Sequence, residues 1–273
     1  MAEMCHKRTL RRKPHMQLFA SFLVARPQRA VMRQFHSFVA AARAIVEEPG
    51  QTADDRLTGL ESLRRGLAEG EGGAPPAAAL ARACAAVGIS TDHAGHILQA
   101  ARATIERPGL RSWSDLLLRC RYGAAPIGRF ALDLHGEDRG LWAAADALCA
   151  AHQITAELGA LGQRQRDGLA LPLPDDWLRQ SGAARGADVS LSTLQTVVER
   201  LLDGIGRLAD SARPLERGIR NRGLRRDATL NLALVRALQR AISRGNPLDH
   251  RIELSFAAQI AAGLGALVRS RAG

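Results

Sequence analysis

WSDLLLRCRYGAAPIGRFALDLHG, residues 113–136, carries the most specific pattern in the chain. Leu116, Leu117, Cys120, Ile127, Phe130, Leu132 and Leu134 recur at mostly helical spacing, which predicts an amphipathic helical segment with one apolar stripe. Gly123, Ala124, Ala125 and Gly128 leave its middle nearly bare of side-chain bulk. A helix this thin lets a neighbour come close, because interaxial distance is set by the side chains at the crossing. Pro126 removes a backbone donor and clashes with the preceding turn, so a kink or break is expected there. Arg121, Tyr122 and Arg129 then stand beside a narrow apolar cleft, either lining it or as solvated groups over a tight helix crossing.

The order of residues is more specific than their types. Arg119-Cys120-Arg121-Tyr122, then Ala124, Pro126-Ile127-Gly128-Arg129, Leu132 and Leu134-His135-Gly136 resembles the YCR..A.PVGR..L.L.G signature of the squalene/phytoene synthase family. Within the family the likeness is to the hydroxysqualene synthase branch of bacterial hopanoid biosynthesis. The resemblance implies an all-α, isoprenoid-synthase-type single domain of about ten helices around a central apolar cavity. It spans residues 14–270, after a basic N-terminal tail of residues 1–13. Active members of the family are head-to-head prenyltransferases that condense two farnesyl diphosphates.

Composition agrees with an all-helical chain. Among 273 residues the aromatic fraction is 4%, and Ala, Leu and Arg dominate, which favours helix over strand. The formal net charge of +11 implies attraction to anionic partners: nucleic acid, acidic lipid or a diphosphate. The basic residues are spread along the chain without interleaved aromatics, so no specific nucleic-acid partner is expected. Lys7, Arg8, Arg11, Arg12 and Lys13 make the tail a candidate for peripheral contact with an anionic membrane, or simply a solvated start. Cys5, Cys84, Cys120 and Cys149 show no CxxC pairing, which argues against a disulfide scaffold or a zinc site. There is no apolar run of membrane-spanning length and no clear signal-peptide core, so a cytoplasmic protein is expected, with the inner membrane as a site of peripheral attachment.

Further helices are predicted over residues 28–48, 54–67, 91–106, 141–166, 193–209, 228–242 and 252–268, with one more beginning near Ala77. Ser190 or Ser192 is a candidate cap for the helix from Thr193. His93 and His96, three apart, could share a metal, but no third ligand lies at a useful offset, and a packing role fits as well. Arg217, Arg220, Arg222, Arg225 and Arg226 could face lipid or a partner, or simply solvate a loop.

Two helices carry the resemblance further. The first aspartate-rich helix of the family, YAFARAADDIADE, aligns with Phe38 to Glu47, and Arg43, Ala44 and Glu47 take its three aspartate positions. The second, DAICTALQLTNFLQDVAEDWRRGRIYLP, aligns through Asp146-Ala147-Leu148-Cys149, Gln153, Thr155 and Gly168, with Ala156 in place of its asparagine. Here Ala160 and Arg164 take the two aspartate positions. In the family those aspartates hold the magnesium ions that neutralise the diphosphate.

The expectation is therefore a chain that keeps the scaffold and lacks the metal-binding aspartates, with no cofactor unless it is an active enzyme, in which case Mg²⁺. One reading is a non-catalytic protein that binds an isoprenoid diphosphate or lipid, or pairs with a partner synthase. The other is a prenyltransferase that grips its diphosphate with Arg43 and Arg164, since arginine binds phosphate oxygens bidentately. The diphosphate-binding residues expected at family positions are Arg43, Glu47, Arg121, Tyr122, Arg129, Gln153 and Arg164.

Overall fold

The computed structural model describes residues 18–19, 23–48, 50–70, 73–107, 109–169, 171–182 and 190–269; the basic tail of residues 1–13 lies outside them. Every regular element among them is helical: α1 (Arg26–Glu47), α2 (Ala53–Glu69), α3 (Pro75–Val87), α4 (Asp92–Glu106), α5 (Trp113–Gly123), α6 (Ala125–Leu134), α7 (Trp142–Gly159), α8 (Leu161–Arg166), α9 (Asp175–Gln180), α10 (Leu191–Ser211), α11 (Leu215–Gly218), α12 (Arg222–Arg244) and α13 (Phe256–Arg269), with a 3-10 turn at Arg139–Leu141. Ten of these thirteen have ten residues or more, as the sequence led us to expect.

Local chemistry sets many of the ends. Thr52 Oγ1 accepts from the Asp55 N–H while the Asp55 carboxylate accepts from the Thr52 N–H, a reciprocal cap that starts α2. Ser112, Ser190 and Asn221 each accept from the backbone N–H three residues on and start α5, α10 and α12. Each such cap stabilises its helix by about 1 kcal/mol.

The middle of the fold is α7, which packs on α5, α6, α10 and α12, while α1 covers α2, α3, α4 and α6. Its sequence explains the position. Ala144, Ala145, Ala147, Leu148, Cys149, Ala150, Ala151, Ile154 and Leu158 are all buried, and a helix apolar nearly all round belongs in a core. The bare middle of residues 113–136 meets it. A Cβ on Gly128 would lie 2.9 Å from Cys149 Sγ and 3.1 Å from Ala145 Cβ, so α6 sits against α7 at a distance only glycine permits. Two residues on, Phe130 stacks on Phe35 of α1 with ring centroids 4.3 Å apart. The break expected at Pro126 occurs: α5 ends at Gly123, and Pro126 sits in the first turn of α6, where a missing N–H costs little.

Two expectations need correction. Residues 141–166 do not form one helix; the chain turns at Ala160 between α7 and α8. The cause lies a hundred residues on. The Ile252 N–H donates to Gly159 O at 2.8 Å, and the Gly162 N–H donates to Pro247 O at 2.9 Å. A Cβ on Gly162 would lie 2.0 Å from Leu248 O, so segment 247–252 lies directly on bare backbone. The second correction concerns α12, which starts at Arg222 rather than near Ala228. Arg222, Arg225 and Arg226 are thus helical, and the Arg220 N–H donates to buried Glu137. Of the five arginines only Arg220 lies in a loop, while Arg217, Arg220, Arg222 and Arg226 are exposed.

Candidate functional site

The C-terminal end of α1, the middle of α5 and the α7–α8 corner bring charged side chains together inside the helical shell. Arg164 donates to Glu47 Oε1 at 3.1 Å. Arg119 donates to Glu157 Oε2 at 2.7 Å, and Gln153 donates to Glu157 Oε1 at 2.9 Å. These four charged side chains are only 12–17% exposed, so both pairs work in a medium that screens them weakly. Burial pushes the Glu157 carboxyl up, but Arg119, Arg164 and Arg43 together outweigh it and hold the group below the usual glutamate range. Glu157 therefore stays ionised inside the protein.

Arg43 lies one turn before Glu47 on α1 and is exposed. It makes no hydrogen bond or ion pair among the described residues, yet its charge reaches Glu157 and Cys120. Beside Arg43 and Arg164 lie Ala44, exposed, and Ala160, half-buried; neither offers a side-chain donor or acceptor. Arg43 and Arg164 thus both bear on the Glu157 carboxylate, and Arg164 is engaged with Glu47.

Two of the remaining expected residues, Arg129 and Tyr122, belong to a second group toward the start of α7. Arg129 binds both carboxylate oxygens of Asp146, through Nε at 2.7 Å and through Nη2, and lies 4.9 Å from the centroid of the Trp142 ring. Tyr122 is 39% exposed and meets His96 edge-on with centroids 6.2 Å apart, while Arg121 is exposed. His93 is buried, its Nε2 lies 3.0 Å from Asp133 Oδ2, and its ring packs edge-on against Phe130 and Trp142. These contacts are those of a packing residue.

Of the seven expected residues, Arg43, Glu47, Gln153 and Arg164 gather at one place. Arg129 and Tyr122 lie in the second group, and Arg121 joins neither. Sequence reading missed Arg119, Glu157 and Asp146 as partners. The available signal was that Glu157 and Asp146 are carboxylates on an otherwise apolar α7, where a charge survives burial only if it is paired.

The model of the squalene/phytoene synthase family matches residues 10–258. The chain belongs to this family. It is 30% identical over 252 residues to a hydroxysqualene synthase from Rhodopseudomonas palustris, covering 91% of this chain and 86% of that one. It is also 30% identical over 264 residues to a hydroxysqualene synthase from Sinorhizobium fredii, covering 93% and 88%. Among solved structures, a squalene synthase from Alicyclobacillus acidocaldarius superposes with a TM-score of 0.69 at 24% identity over 83% of this chain and 87% of that one. A dehydrosqualene synthase bound to a ligand gives 0.77 at 15% identity over 92% and 90%. These likenesses give the fold.

Magnesium, which the family resemblance implies, is a hard cation that needs oxygen ligands, carboxylates above all. The donor set of this family member does not fit it. Glu47 and Glu157 are already bound by guanidinium groups, and no group of three or more His, Cys, Asp or Glu among the described residues could hold a metal ion. Among the described residues, Arg43, Arg119 and Arg164 against Glu47 and Glu157 leave one positive charge over. Such a site repels a divalent cation and attracts an anion.

Proposed function

We propose that this squalene/phytoene synthase-family chain lacks the magnesium-binding aspartates and serves squalene and hopanoid biosynthesis without catalysing the condensation, by binding an isoprenoid diphosphate or by pairing with an active synthase. One observation carries the reading: Arg164 and Arg119 bind the carboxylates, Glu47 and Glu157, at the place where the family resemblance puts a metal cluster. Ionising an allylic diphosphate requires that the charge growing on the leaving group be stabilised. Guanidinium groups already neutralised by carboxylates supply little of that stabilisation. Removing a single well-placed electrostatic group commonly costs about a hundred- to a thousandfold in rate, and four aspartate positions here hold Arg43, Ala44, Ala160 and Arg164.

The residual positive charge still suits a diphosphate. Arg43 stands at the exposed edge of the cluster with its donors uncommitted among the described residues, and Arg164 can exchange a carboxylate for a phosphate oxygen without losing charge-assisted hydrogen bonding.

A second reading, a prenyltransferase of the hydroxysqualene type with an altered diphosphate site, is favoured by 30% identity over most of the chain to hydroxysqualene synthases. Incubating the purified full chain with farnesyl diphosphate and Mg²⁺, with and without NADPH, separates the two. Pyrophosphate release and extractable C30 products are followed. No turnover alongside saturable binding supports the non-catalytic reading; steady turnover overturns it in favour of the second.

A further inference from the structure

The last two described helices make a surface that the site above does not use. Phe256, Ile260 and Leu264 of α13 are 78%, 46% and 59% exposed. Spaced four apart, they form one stripe down the helix. Ala258, Ala262 and Gly265 on another side of α13 line a groove of about 430 Å³ with Ala233, Ala237 and Ala241 of α12. Arg240 and Arg244, one turn apart on α12, border that groove and are exposed. Neither has a carboxylate partner among the described residues, whereas Arg236 on the preceding turn is held by Asp210 at 2.7 Å. The sequence contains no Asp or Glu after Glu253, but it does contain Arg269 and Arg271.

We propose that this α12–α13 face docks on an anionic phospholipid bilayer, with Phe256, Ile260 and Leu264 in the acyl region and Arg240 and Arg244 on lipid phosphates. The charge pattern selects this occupant. A second copy of the face would bring arginines against arginines with no carboxylate on α13 to meet them. A bilayer offers hydrocarbon beneath a plane of phosphate, which matches exposed apolar side chains on α13 with guanidinium groups on the neighbouring α12. The mode is lying on the membrane, since no helix among the described residues is long and apolar enough to cross one. The assignment does not depend on whether the buried cluster turns over a substrate.

Vesicle flotation of the full chain tests it, with phosphatidylcholine vesicles compared with vesicles that also contain phosphatidylglycerol. Two variants accompany the wild type: Arg240→Ala with Arg244→Ala, and Phe256→Ser with Ile260→Ser and Leu264→Ser. All five side chains are exposed, and unchanged circular dichroism confirms that the variants fold. Wild type is expected to float only with the anionic vesicles. The arginine variant should bind them about thirtyfold more weakly at low salt, and the apolar variant should lose binding at every salt concentration. Equal binding to both vesicle types, or to neither, overturns the proposal. Wild-type affinity in both variants also overturns it and places the contact elsewhere, the basic tail included. A dimer in solution that the apolar variant abolishes, without vesicle binding, overturns it in favour of self-association.

Discussion

Arg164 and Glu47, 117 residues apart in sequence, are joined at 3.1 Å and tie the α7–α8 corner to the end of α1. Both are less than a fifth exposed, so cutting the pair strands a partly buried charge. Arg164→Ala and Glu47→Gln should each lower unfolding free energy by about 1–3 kcal/mol. The double variant should lose less than the sum of the two, because removing both partners strands less charge than removing either alone. Urea unfolding of the four proteins checks this; strict additivity would mean that the contact contributes nothing.

Glu157 should make stability depend on acid. Burial raises its pKa, but Arg119, Arg164 and Arg43 more than offset this, and the folded value lies below the ordinary one. A carboxyl depressed on folding contributes stability that is fully present above its unfolded pKa and is lost as pH falls through the folded value. The wild type should therefore exceed Glu157→Gln by about 1–3 kcal/mol at neutral pH, with the gap closing below pH ~4.3. Denaturant unfolding across the acid range reads the gap directly. A constant gap would show that titration of Glu157 is not its source.

Gly162→Ala improves intrinsic helix propensity but places a Cβ 2.0 Å from Leu248 O. Backbone cannot yield as a flexible side chain can. A loss of about 2 kcal/mol or more is expected, since overpacking typically costs about 1–3 kcal/mol, and it outweighs the propensity gain. Gly95→Ala in α4 is the contrast, because no atom lies within 4 Å of the added methyl. It should stabilise by about 0.5–1 kcal/mol. Thermal melts of the two variants should move in opposite directions.

The buried cysteines should be inert. Burial pushes the Cys84 thiol up to about 11 and the Cys120 thiol up to about 12, and it raises Cys149 as well. Thiolate is the reactive form. In a Cys5→Ser variant, a thiol-specific disulfide reagent should label no cysteine at neutral pH until denaturant is added, and then three. Rapid labelling of the native protein would contradict this burial.

Much of this fold is written locally. The spacing of Leu194, Val197, Val198, Leu201, Leu202 and Ile205 marks a buried helix face, and all six are buried; Ser190 marks its start. Gly128 and Pro126 gave away a close crossing and a break within one short stretch. What stayed hidden depends on distant partners. The α7–α8 turn is imposed by segment 247–252 on Gly159 and Gly162, and two glycines in a helical pattern do not say what will lie across them. The site was half legible. Arg43, Glu47, Gln153 and Arg164 follow from the family likeness, but Arg119 and Glu157 come from different helices. Their pairing appears only when α5 is laid on α7.

Calorimetric titration with farnesyl diphosphate, in the presence and absence of Mg²⁺, measures whether the cluster of Arg43, Arg119 and Arg164 takes an anion without a divalent metal. The expected result is saturable binding whose affinity Mg²⁺ leaves unchanged and which Arg43→Ala weakens by about tenfold, the equivalent of about 1.4 kcal/mol. Binding that appears only with Mg²⁺, or that Arg43→Ala leaves intact while Mg²⁺ strengthens it, would contradict the account.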